Sequence, residues 1–364
     1  MRRESAYSRW LALLALGVIP GCVATAKIAY TPQEIRDEVA RRAPSLKRGD
    51  IIVPFEVGTP DAARARQVVR YHRTDAEKVR ALAEALFDPA VFGLRYAAHA
   101  TTTAQEALRS SEGNCLAVAS VFVGLARSVG LKAFYIDAST RIHETRYTEH
   151  GMTVNVGHVT GLVQTRDRDI ALDIEHLGRI RWYRIIDDVE AVAHFYNNRG
   201  FDIIEDTQAS GSVLDWAAVE RSFRLAVQVM PAFALGWNNL GIAAAHLGRY
   251  SEAIEDYQRS MRLDPTLAAP HHNLGSLYLQ IPNDRAARDS FEAAARLDPR
   301  GPHIQYSLAL ARLRLHDRLG AVRALHQAIA IRGDYPEARA LLHQLRSAGT
   351  ATSPDGSTGE DNRW

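Results

Sequence analysis

A shift of 34 residues lays Trp237-Asn238-Asn239-Leu240-Gly241 over His271-His272-Asn273-Leu274-Gly275. The same shift carries Ala253 onto Ala287, Tyr257 onto Phe291, Ser260 onto Ala294 and Leu263-Asp264-Pro265 onto Leu297-Asp298-Pro299. A period of this length fits two short helices and their turns. One such unit cannot bury its apolar face alone, so its neighbours must stack on it. Small residues at 241 and 253 permit close helix approach, the aromatic at 257 fills the gap toward the next hairpin, and Pro265 stops the second helix.

A weaker third copy holds Leu308, Ala309, Ala321, Leu325 and Ala328 in register, with Gly333 in place of the proline. Upstream, Tyr196-Asn197-Asn198-Arg199-Gly200 echoes the Trp237 segment, and Val219, Phe223, Ala226 and Pro231 continue the pattern. The spacing there is seven residues longer, which predicts a loop near Gln208 to Ser212. Spacing and residue types resemble the tetratricopeptide repeat, which implies an all-α solenoid of three to four hairpins over residues 190–346. Arrays of that kind expose a concave face that binds a protein or peptide. Asn198, Asn239 and Asn273 share one repeat position, where their amides either grip a bound backbone or bond the neighbouring helix. The Gly/Ser/Thr-rich stretch 347–364 reads as a disordered tail.

The N-terminus has the pattern of an export signal. Arg2, Arg3 and Arg9 precede an apolar stretch from Trp10 to Ile19, too short for the roughly 20 helical residues that span a bilayer. Ile19-Pro20-Gly21-Cys22 follows, a small residue directly before a cysteine, which resembles a bacterial lipoprotein signal over residues 1–21. That resemblance implies a lipid on Cys22 and an envelope-anchored, periplasm-facing protein, with the outer membrane favoured because Val23 is not an aspartate. An ordinary cleaved signal peptide is the alternative. Net charge of +2 and the lack of a clustered basic stripe argue against nucleic acid as a partner.

Only two cysteines occur, Cys22 and Cys115. Lipidation or removal of the first leaves Cys115 without a disulfide partner, a candidate reactive thiol in an oxidising compartment. Residues 74–186 mix helix and strand patterns, and residues 22–73 read as a linker or helical extension. Thr74 to Phe87 predicts an amphipathic helix, and Thr103 with Glu106 a capping box. Gly113-Asn114-Cys115 then opens an apolar helix that ends at Gly130, and Leu131 to Ile136 predicts a strand. At a helix start the free N–H groups and the positive dipole end favour a thiolate. Val154 to Val163 predicts a second strand, and Ile170 to Ile174 its hairpin partner across Arg166-Asp167-Arg168-Asp169. This pairing places His158 and Asp173 on neighbouring strands. His143, His150 and His176 are rival bases, and Glu175 is a second orienter.

Gly-x-Cys at a helix start, a strand histidine 43 residues on and an aspartate on the next strand resemble the transglutaminase-like superfamily of papain-fold thiol enzymes. The resemblance covers roughly Tyr96 to Ile186. It implies an α+β papain-like domain with Cys115 as nucleophile, His158 as general base and Asp173 as orienter. It also implies a second oxyanion donor, for which Gln105 and Asn114 are the polar candidates. The calcium signature of animal transglutaminases is not visible, so neither metal nor cofactor is expected. The implied activity is a cysteine protease, amidase or transamidase working through an acyl-cysteine. The competing reading is an inactive lipid-anchored scaffold that uses the repeats for protein–protein interaction.

Overall fold

The computed structural model describes residues 12–16, 27–98, 100–138, 144–147, 153–156, 159–173 and 183–350. The chain divides into two compact units, residues 1–146 with 154–256 and residues 147–153 with 257–364.

The first unit opens with β1 (Ala12–Leu16) and helices α1 (Pro32–Arg42), α2 (Thr59–Val69) and α3 (Asp75–Phe87). Thr74 caps α3 reciprocally with Glu77, so the predicted start is the observed one. Next come β2 (Arg95–Tyr96), α4 (Ala104–Ser110), β3 (Glu112–Gly113) and α5 (Cys115–Ser128). Thr103 and Glu106 form the expected capping box on α4. Strands β4 (Lys132–Asp137), β5 (Glu144–Tyr147), β6 (Thr153–Val156), β7 (Val159–Gln164), β8 (Asp169–Asp173) and β9 (Arg184–Ile186) follow. Five of the strands form one antiparallel sheet in the order β1-β8-β7-β4-β9. The stretch read as one strand from Val154 to Val163 is divided, because β6 pairs with β5 in a separate ribbon while β7 joins the main sheet.

Helix α5 is the core of this unit. Every residue from Cys115 to Ala126 is buried. Its face packs on β7, where a Cβ at Gly161 would lie 2.6 Å from the Phe122 ring. It is also tied to β4: Tyr135 donates to Ser120 at 2.9 Å, Ser120 to the Leu116 carbonyl, and Arg127 Nε to the Ala133 carbonyl. Burial pushes the Tyr135 phenol well above its ordinary pKa. The segment before α2 packs into this core. Phe55 is buried, and a Cβ at Gly124 would run into the Phe55 carbonyl oxygen and approach Val57 Cγ1 at 2.8 Å. Gly124→Ala is therefore expected to destabilise the protein by about 1–3 kcal/mol, measurable by urea denaturation.

Helix α6 (Asp188–Ser210) begins the array and pairs with α7 (Trp216–Val229), and α8 (Ala234–His246) and the start of α9 (Tyr250–Leu263) follow. The extra residues expected in a loop at 208–212 instead prolong α6 to 23 residues, and the turn comes at Gly211, which has a φ of +67°. Gly200 lies against Phe223 of the same hairpin, at 2.6 Å from a Cβ built there.

In the second unit, α10 (Ala269–Gln280) pairs with α11 (Asp284–Leu297), α12 (Pro302–Arg314) with α13 (Arg318–Ile331), and α14 (Pro336–Thr350) closes the described chain. Gly275 lies against the fully buried Phe291. The repeat aromatic thus packs on the small residue of its own hairpin as well as facing the next. Both Leu-Asp-Pro helix ends turn through their aspartate, Asp264 accepting from Thr266 N and Asp298 from Arg300 N. Helix α14 extends past residue 347 into the stretch read as tail, and residues 351–364 lie outside the described residues.

Candidate functional site

Cys115 is the first residue of α5 and is about 9% exposed. Three features of the preceding turn set its position. Ser111 ends α4 with a φ of +57°, which reverses the chain. Gly113 then passes so near α5 that an added Cβ would stand 2.7 Å from that of Ala117. Asn114 caps the helix, its Oδ1 accepting from Ala117 N at 3.0 Å. The glycine and asparagine before the cysteine therefore have separate physical tasks, close approach and capping. Beside this turn the loop after β2 runs parallel to it. Ala97 N donates to the Gly113 carbonyl and Asn114 N to the Ala100 carbonyl, at 3.0 and 3.1 Å.

Asn114 is 5% exposed, and its Nδ2 donates to Thr101 Oγ1 at 2.7 Å. Its carbonyl and one amide hydrogen are thus committed to holding the turn. Gln105 stands exposed on α4, whose buried face is Ala104 and Ala107. Asp173 is the last residue of β8, next to β7. His158 immediately precedes β7 and lies outside the described residues, as do Cys22, His143, His150, Glu175 and His176. Among the described residues no cluster of metal-ligating side chains occurs, and no helix is long and apolar enough to cross a membrane.

Thr101 links the cysteine turn to α6. Its N–H donates to Asp202 Oδ2 at 2.9 Å, and its carbonyl accepts from Arg199 Nη1 at 3.3 Å. Thr101 is 1% exposed and Asp202 8%. Burial raises the Asp202 carboxyl to about 6, against the opposing effects of the Thr101 hydrogen bonds and Arg199. At the far end of α5, Arg127 forms two bonds with the buried Asp188 of α6, at 2.7 and 2.9 Å. Asp202, Thr101 and Arg127 were not anticipated. Nothing local in the sequence joins a repeat-helix aspartate to a threonine about a hundred positions earlier.

The raised carboxyl has a consequence for stability. A folded pKa above the unfolded value of 3.8 means that the folded state holds the proton more tightly. This contribution is full below about pH 4 and is lost as pH rises through about 6. The loss amounts to about 3 kcal/mol. Wild type minus Asp202→Asn, compared by denaturation at pH 4 and 7.5, isolates it from the other carboxyls.

In the Asn array of the first unit, Asn239 Nδ2 donates to Asn197 Oδ1 at 2.8 Å, and Asn238 Nδ2 to Asn239 Oδ1 at 3.1 Å. Asn197, Asn198, Asn238 and Asn239 are all buried, and Asn273 is buried in the second unit. Of the two roles open to these amides, bonding the neighbouring helix is the one seen for Asn239.

A thiol at a capped helix start, on a helix packed against an antiparallel sheet, belongs to an α+β domain. Residues 62–172 match the transglutaminase-like superfamily and residues 234–267 the tetratricopeptide repeat, so the chain carries a transglutaminase-like domain followed by a helical repeat array. The first match begins within α2, in the stretch that reads from sequence as an extension. Among curated proteins, DnaJ homolog subfamily C member 7 of Homo sapiens is 31% identical over 91 residues, 25% of this chain and 18% of the relative. Hsp70-Hsp90 organizing protein of Triticum aestivum is 29% identical over 90 residues, 25% of this chain and 16% of the relative. The chain thus spans under a fifth of the length of these relatives. Among solved structures, MamA aligns over 40% of this chain and 84% of its own at 21% identity and a TM-score of 0.35. The first repeat domain of Spaghetti (RPAP3), bound to an HSP90 peptide, aligns over 32% and 93% at 22% identity and a TM-score of 0.31.

Proposed function

We propose that the protein is an envelope-anchored thiol enzyme that cleaves or transfers amide bonds of a polypeptide through an acyl-cysteine, with its repeat array binding the substrate or a partner protein. The observation that carries this reading is the placement of Cys115 at the capped start of α5 within a transglutaminase-like domain. His158 takes the thiol proton, and the thiolate attacks the amide carbonyl carbon. The oxyanion that forms accepts from the backbone N–H at the α5 start. His158 returns the proton to the departing amine as the carbon–nitrogen bond breaks, leaving a thioester on Cys115. Water or a second amine then attacks the thioester, giving hydrolysis or transfer. Asp173 orients the imidazole, with Glu175 the alternative. Gln105 and Asn114 are the proposed side-chain contributors at the oxyanion. Asn114 acts chiefly by fixing the helix start, since its bonds to Ala117 and Thr101 occupy it.

An activated acyl donor tests this reading without knowledge of the substrate. With p-nitrophenyl acetate, the full-length protein should release a burst of nitrophenolate equal to its own concentration and gain an acetyl group on Cys115. That adduct should decay faster when a primary amine is added. Absence of the burst, or an equal burst from Cys115→Ala, would instead support a scaffold, a role to which the low exposure of Cys115 also lends itself.

Anchoring is the second part of the proposal. Processing before Cys22 removes β1, leaving a mature sheet of β8-β7-β4-β9 with β8 at its edge. Cys22→Ser should abolish incorporation of labelled fatty acid into the protein in a bacterial host, and continued incorporation would rule out this anchor.

A further inference from the structure

Helix α6 belongs to the array by its asparagines and to the thiol domain by its acids. Its N-terminal Asp188 holds Arg127 at the end of α5, and Asp202, fourteen residues on, holds the Thr101 loop against Asn114 at the start of α5. Fourteen helical residues cover about 21 Å, and Asn114 to Arg127 covers about 20 Å, so the two spans match in antiparallel sense. Between the two grips, Asn197 on the same helix accepts from Asn239 of α8.

We propose that Asp202 is a positioning residue for Cys115: through Thr101 it fixes the Asn114 cap, and so ties the geometry of the nucleophile to the first helix of the repeat array. This rests on Cys115 being the nucleophile of the preceding section. The directions of the bonds support it. Thr101 joins the two through different atoms: its N–H donates to Asp202 Oδ2 and its Oγ1 accepts from Asn114 Nδ2, while Asn114 Oδ1 accepts from Ala117 N. Ionised Asp202 accepts strongly from the Thr101 N–H and so holds the loop against the cap, and a protonated Asp202 holds that N–H less tightly and loosens the cap. The charged groups facing Asp202 are Arg199 and Asp206, both on α6, and the loop side contributes Thr101. Asp202 acts on the sulfur through this turn.

The test is the pH profile of Cys115 alkylation by iodoacetamide in the full-length protein, recorded with the thermal midpoint. Placing every variant in a His158→Ala background removes the imidazole from the lower part of the profile. The parent should then show a step near pH 6 besides the thiol ionisation. Asp202→Asn and Thr101→Val should lose that step and change the plateau rate about fivefold, the scale of a lost helix cap. Thr101→Ser should keep the step, and Asp202→Asn should keep its thermal midpoint at pH 7.5. An unchanged step and a plateau within twofold in Asp202→Asn would overturn the positioning role. If His158→Ala alone leaves the wild-type profile unmoved while Asp202→Asn alters it, the catalytic reading fails and the positioning role survives. The reverse outcome does the opposite.

Discussion

Asp188→Ala is expected to lower the unfolding free energy by about 3–5 kcal/mol, the range for removing one partner of a buried ion pair. The Asp188 carboxylate is 1% exposed and accepts from both terminal Arg127 nitrogens, Nη1 and Nη2, and from the Tyr30 N–H, while Asp188 N donates to the Ile28 carbonyl. Three segments far apart in sequence therefore meet on one residue: the chain before α1, the end of α5 and the start of α6. Removing the acid leaves a guanidinium among apolar neighbours, stacked over Phe55 at 4.8 Å and still bonded to the Ala133 carbonyl. Burial raises the Asp188 carboxyl in spite of Arg127, so the acid is held at a desolvation cost that the pairing only partly offsets. Replacing both partners by apolar residues, Asp188→Leu with Arg127→Met, should accordingly recover most of the loss. Urea denaturation of the single and double variants gives the coupling. Additive losses would show that the pair is not the clamp described.

The second large effect is chemical. Loss of the base should slow acylation of the thiol by about 10²–10⁴-fold, the usual contribution of a positioned general base. His158→Ala should do this near neutral pH with little change in the unfolding free energy. Cys115→Ala should abolish the acyl adduct outright. Asp173→Asn should fall between wild type and His158→Ala, because an orienter acts through the imidazole and an asparagine keeps one acceptor. If Glu175→Gln gives the larger loss, the orienting role passes to Glu175. Single-turnover acylation followed by nitrophenolate release measures all four variants on one scale.

Local signals in the sequence carry the helix starts. Thr103 starts its helix where a hydroxyl residue followed three positions later by glutamate predicts, because both partners of a capping box lie within one turn, and the amphipathic pattern from Thr74 gives the helix capped by Thr74. The start of α5 at Cys115 was legible for a like reason, since glycine and asparagine declare themselves by what only they do at a tight approach and a cap. The repeat was legible because Gly275 and Phe291 recur with their period. What was missed depends on distant partners. Residues 154–163 carry one continuous strand-like pattern, yet β6 pairs with β5 and β7 with β4 and β8, and a pattern of alternation does not name its partner. The residues added between the first two repeats prolong α6 instead of its loop. The segment around Phe55 looked like a linker because the surface it covers, Gly124, lies some seventy residues away.

The claim beneath all of this is that an imidazole from position 158 ionises the sulfur of Cys115. Alkylation by iodoacetamide across pH 5–9, in wild type and in His158→Ala, tests it most directly. The account predicts substantial labelling of the wild type well below the ordinary thiol value of about 8.5, and a return toward that value in the variant. Labelling that follows an ordinary thiol in both proteins would contradict it.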